Sequence, residues 1–109
     1  MEYIPDKWVV VDYSSEYSPA ERYAILAGWG GSFIYGASWK RSSGIIFVTL
    51  CDSNWEVTTY SGSVYILRKN SIGYTGVTAQ LAQEAELSVV DSLEEITKVF
   101  NSLKESSGG

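Results

Sequence analysis

The periodicity of this chain changes once, near residue 70. Before that point lie short β-branched or alternating runs broken by glycine, serine and asparagine; after it, apolar residues recur at helical spacing. Strands first and helices last predict an α+β domain, a mainly antiparallel sheet with two C-terminal helices on one face. At 109 residues the chain is one domain's worth. The expected domain spans residues 1–105, with a frayed tail over 106–109.

About five or six strands are expected. Trp8-Val9-Val10-Val11 is short and β-branched, so it reads as a strand. Ser14 to Pro19 reads as a loop, and Arg22 to Ala27, brief and followed by Gly28, as a second strand. Gly28-Trp29-Gly30-Gly31 requires a turn or a close backbone approach. From Phe33 the pattern alternates, placing Phe33, Tyr35, Ala37 and Trp39 on one face. Ile45 to Leu50 is the most apolar run and is expected centrally, with Cys51 at its end as a small buried hydrophobe. The clearest hairpin is Trp55 to Lys69. With Ser61-Gly62 as a two-residue connection, Thr58 pairs with Tyr65 and Val57 with Ile66. Its core face is then Trp55, Val57, Thr59, Val64 and Ile66.

In the second part of the chain, Thr75 is a candidate N-cap for a helix carrying Val77, Leu81, Ala82 and Ala85. Leu87 to Asp91 reads as a short strand, at the sheet edge or parallel to a neighbour. Ser92-Leu-Glu-Glu95 has the form of a capping box, and behind it Leu93, Ile96, Val99, Phe100 and Leu103 form one apolar stripe.

Composition narrows the chemistry. With no histidine and a single cysteine, the chain lacks the commonest general base and metal ligand, and no intrachain disulfide or Cys-based zinc site can form. No cofactor is expected. The net charge of −5 opposes generic nucleic-acid binding. Basic residues nonetheless concentrate in the middle (Arg22, Lys40, Arg41, Arg68, Lys69), between two acidic ends. Met1 to Lys7 has no basic stretch leading into an apolar one, and no apolar run reaches membrane length, so a cytoplasmic protein without membrane contact is expected. Lys40 near Ser42 and Ser43, and Asp52 near Glu56, are weak catalytic signals. Gly73-Tyr74-Thr75-Gly76 is better explained as a turn and helix cap than as a phosphate loop.

The stretch richest in binding chemistry is aromatic and basic together. Trp29, Trp39, Lys40, Arg41 and Tyr65 are the candidate binding residues, since Trp and Tyr stack and Arg pairs with anions. Against this, Phe33, Tyr35 and Trp39 share a strand face, which places them in the core rather than on the surface. The profile as a whole is that of a small non-enzymatic interaction protein that binds another protein. In class it is similar to small phage or mobile-element inhibitors, a likeness that rests on no motif. The alternative is a module for a sugar, nucleotide or peptide, walled by Trp29, Trp39 and Tyr65 with Arg41 or Arg68 as anchor. A homodimer through an exposed sheet edge is a further expectation.

Overall fold

In the computed structural model, residues 1–13, 22–30 and 38–103 are described. The Ser14–Pro19 loop, the alternating residues Phe33 to Ala37 and the tail fall outside them. The strands are β1 (Glu2–Tyr3), β2 (Lys7–Asp12), β3 (Tyr23–Trp29), β4 (Ser38–Arg41), β5 (Ile45–Leu50), β6 (Asn54–Thr59), β7 (Val64–Arg68) and β8 (Val89–Val90). Helix α1 (Gly76–Glu84) precedes β8 and α2 (Leu93–Ser102) follows it. The α+β architecture with C-terminal helices holds. Its strands form two four-stranded sheets, ordered β1-β7-β6-β5 and β4-β3-β2-β8, antiparallel except where β1 meets β7. No helix among the described residues is long and apolar enough to cross a membrane.

The uninterrupted apolar runs of β2 and β3 follow from their position. Both are central, and both faces of their sheet are covered. One face presents Trp8, Val10, Ile25 and Ala27 to Val48, Trp55, Val57, Tyr65 and Leu67 of the other sheet, and Ile96 and Phe100 of α2 enter this same core. The opposite face presents Val9, Val11, Ala24 and Leu26 to Leu81 and Ala82 of α1. The two helices therefore lie on opposite faces of the β4-β3-β2-β8 sheet rather than on the one face expected. The second sheet shares a face with α2 and leaves the other to α1.

Several local features differ from expectation or settle it. The Ile45–Leu50 run is an edge strand, not a central one, with Ile46 and Leu50 exposed. Cys51, in the turn beyond it, is also exposed. Gly28 and Trp29 belong to β3 rather than to a turn, and the close backbone approach is the alternative realised. A Cβ at Gly28 would lie 2.8 Å from Thr75 Cγ2, because the α1 N-terminus packs directly on it.

The β6–β7 hairpin is one residue out of the expected register. Val57 faces Tyr65 and Thr58 faces Val64. Thr59 N–H donates to Ser63 O and Gly62 takes φ +88°, so Tyr60-Ser61-Gly62 forms a three-residue connection with glycine in the left-handed region. The shift exchanges the faces of β7. Tyr65 and Leu67 turn inward, and Val64 and Ile66 outward.

Helix caps follow the sequence closely. Thr75 Oγ1 accepts from Thr78 N–H, and Thr78 Oγ1 accepts from Thr75 N–H, a reciprocal box closed by threonine. Of the expected Ser92–Glu95 box one half forms, Ser92 Oγ accepting from Glu95 N–H at 3.1 Å. Ile96 and Phe100 are buried as the stripe requires, whereas Leu93 is exposed. β8 joins the sheet edge antiparallel to β2.

Candidate functional site: an exposed edge strand and its groove

Strand β4 is short, and all four of its residues are exposed. Its pairing with β3 runs from Leu26↔Arg41 to Trp29↔Ser38. Alternation puts Trp39 and Arg41 on the face that α1 covers and Lys40 on the opposite one. The contacts agree. Arg41 Nη1 donates to Tyr13 Oη at 2.8 Å, its guanidinium lying 5.6 Å from that ring's centre. Lys40 Nζ lies 5.3 Å above the Tyr3 ring on the other side.

Between β4 and α1 runs an open groove of about 420 Å³. Leu26 is its buried floor, Trp39 and Arg41 form one wall with Lys40 contributing, and Leu81, Ala85 and Leu87 form the other. Trp39 is 47% exposed, so it is not the core residue that its shared face with Phe33 and Tyr35 suggested. The remaining candidates lie elsewhere. Trp29 is half-buried, packs on Tyr3 and donates from Nε1 to Ile4 O at 3.0 Å. Tyr65 is fully buried, its ring stacked on Tyr3 at 5.0 Å, so it walls no groove. Arg68 donates to Pro5 O at 3.1 Å and helps to hold the start of the chain.

The edge of β4 has a definite polarity. Tyr13 N–H donates to Arg22 O, and Ser42 N–H donates to Ile25 O. In an antiparallel ladder these bonds fix the phase. Ile25, Ala27 and Trp29 direct their backbone groups to β4, while Ala24, Leu26 and Gly28 direct theirs to β2. On β4, Ser38 and Lys40 therefore bond to β3, and the N–H and C=O of Trp39 and Arg41 point away from the sheet. The other edges differ. β1 and β8 have two residues each, and on β5 the Val48 N–H donates to Leu103 O beyond α2.

Both serines near Lys40 have structural partners. Ser42 is buried where the chain passes from one sheet to the other; its Oγ accepts from Ile25 N–H at 2.8 Å and donates to Ser43 O. Ser43 bonds Ser61 in the β6–β7 connection. Thr75 Oγ1 already takes the Thr78 N–H, one of the amides that an anion at the start of α1 would use. Among the described residues, no group of three or more His, Cys, Asp or Glu side chains is placed to hold a metal ion.

Sequence reasoning gave the local chemistry of β4 and missed its groove. Helical spacing puts Leu81 and Ala85 on the apolar face of α1 without showing what that face meets, and nothing in the sequence marks the outward turn of the Trp39 and Arg41 backbone. No known protein family, curated protein or solved structure matches this chain.

Proposed function

We propose that this protein is a small non-enzymatic interaction module that binds another protein through β4 and the groove beside it. The observation that carries the reading is Trp39, 47% exposed beside Arg41 on an edge strand. Trp and Arg are residue types that often anchor protein interfaces, and here the two stand together on an exposed edge beside an apolar groove. The groove is open rather than enclosed, which suits a macromolecular surface.

A photo-cross-linking residue at position 39, with a second variant carrying it at exposed Leu93 as control, tests this in lysate of the source cell. One dominant protein adduct specific to position 39 is expected. The same adducts at both positions, or none at position 39, would overturn the reading. A second reading has one observation in its favour: the groove volume lies within the range of small-molecule sites. A small molecule retained in native mass spectrometry and released by Trp39→Ala would favour it.

A further inference from the structure

Resting on the reading of β4 as the interaction surface, we propose that the partner contributes an extended, acidic segment that adds as a new strand along β4. Strand addition needs backbone donors and acceptors facing outward, and β4 supplies them at Trp39 and Arg41, two residues apart as an incoming strand requires. Among the described residues nothing bonds to those outward groups. Among the described residues, β1 and β8 offer two residues each and the β5 edge is partly taken at Val48 by Leu103 O, whereas no outward group of β4 is engaged.

Charge selects the occupant. Among the described residues the ion pairs are Arg22 with Asp12 and Lys98 with Glu94, so neither Lys40 nor Arg41 has a carboxylate partner. One cation stands on each face of the strand, Arg41 beside the groove and Lys40 over Tyr3. An added strand meets a positive charge whichever way its side chains alternate, so acids are favoured on both of its faces. Exposed Glu84 and Glu86 are chain neighbours of groove-lining Ala85 and Leu87, so the cations of the site belong to its β4 side. The same two cations oppose a second copy. Pairing β4 with another β4 would bring Lys40 and Arg41 against their own kind, the device by which natural edge strands avoid self-association. Trp39 and the apolar groove then accept one larger side chain from the groove face of the incoming strand.

The test separates backbone pairing from side-chain contact. Random ten-residue peptides displayed on phage are selected against the full protein, and enriched sequences are synthesised with a fluorescent label. Their affinities are measured for the natural protein, Trp39→Ala, Trp39→Pro and the double variant Lys40→Glu/Arg41→Glu. Proline at position 39 removes an outward N–H without touching the ladder to β3, the placement in which edge strands tolerate it. Circular dichroism and melting establish that each variant is folded. A Trp39→Pro variant that fails to fold is replaced by N-methylating alternate residues of the peptide, which removes the same bonds from the other side.

The expected result is enrichment of acidic peptides, a loss on Trp39→Pro about tenfold beyond that on Trp39→Ala, and a switch to basic peptides in the double variant. Equal losses for alanine and proline would overturn strand addition while leaving β4 as the interaction surface. Failure to enrich acidic peptides would overturn the proposed partner chemistry, and cross-linking at position 39 would still report on the broader reading. Concentration-dependent dimers abolished by Trp39→Pro would replace the partner strand with a second copy.

Discussion

The Phe100 ring lies parallel to the Trp8 indole, 12° apart in plane and 5.9 Å between centres. It meets Trp55 edge-on at 4.9 Å, so one side chain of α2 joins a strand from each sheet. Trp8 is held in turn by its Nε1 donating to Arg68 O at 2.9 Å. Phe100→Ala opens a cavity where both sheets and α2 converge, and a loss of about 3–5 kcal/mol is expected. Urea unfolding with an unchanged slope is the measurement; a midpoint equal to the natural protein's would contradict the packing.

Gly28 and Gly76 make opposite predictions from the same substitution. A Cβ at Gly28 meets three atoms of Thr75 and Thr78 at 2.8–2.9 Å, inside the cap that starts α1. Gly28→Ala must displace that helix end and is expected to cost about 1–3 kcal/mol. A Cβ at Gly76, the first residue of α1, meets nothing within 4 Å. Gly76→Ala is therefore neutral or stabilising, by up to about 1 kcal/mol. Thermal melting of the pair decides, and equal shifts would place α1 differently.

What was legible in the sequence follows the range of the interactions involved. The α2 stripe and the Ser92 and Thr75 caps depend on residues three or four apart, and apart from exposed Leu93 they appear where the spacing puts them. The β6–β7 register depends on whether two or three residues make the turn. Ser61-Gly62 is compatible with either, and the slip carried Tyr65 from a candidate binding face into the core. Sheet order is less local still. Ile45–Leu50 is as apolar as a central strand, but coverage on both faces went to Trp8–Val11 and Ala24–Ala27. For the same reason, the identity of Trp39 could not show that its strand would stand at an edge.

Tyr65 carries a buried hydroxyl with no hydrogen-bond partner. Burial, reinforced by neighbouring Tyr3, pushes its pKa up from 10.0 to about 12. Below pH 10 both folded and unfolded states keep the proton, and the group adds no pH dependence. Above pH 10 the unfolded chain loses it first, so stability falls as pH rises towards about 12. Tyr74 is raised too, by burial and then by its bond to Asp91, and acts in the same direction. Tyr65→Phe removes the unsatisfied hydroxyl; a gain of about 1 kcal/mol near neutral pH and a shallower alkaline decline are expected. Unfolding curves from pH 8 to 11, with Tyr60→Phe as an exposed control, measure both. A destabilised Tyr65→Phe would mean that the hydroxyl has a partner.

Arg41 and Ser42 are adjacent and opposite in role. Arg41 is exposed, and its contact with Tyr13 is one hydrogen bond at the sheet surface, so Arg41→Ala should change stability by no more than about 1 kcal/mol. Ser42 is buried at the corner between the sheets, and its Oγ accepts the Ile25 N–H. Ser42→Ala leaves that amide buried without its side-chain acceptor, and about 1–3 kcal/mol is expected to be lost. Partner capture at position 39 should respond in the reverse order. Arg41→Ala should weaken it in a folded protein, whereas Ser42→Ala should leave capture intact at temperatures where the fold persists. Denaturation and cross-linking yield measured on the two variants together test the assignment. A fold lost with Arg41, or capture lost with a folded Ser42→Ala, would move the interaction surface away from the outer face of β4.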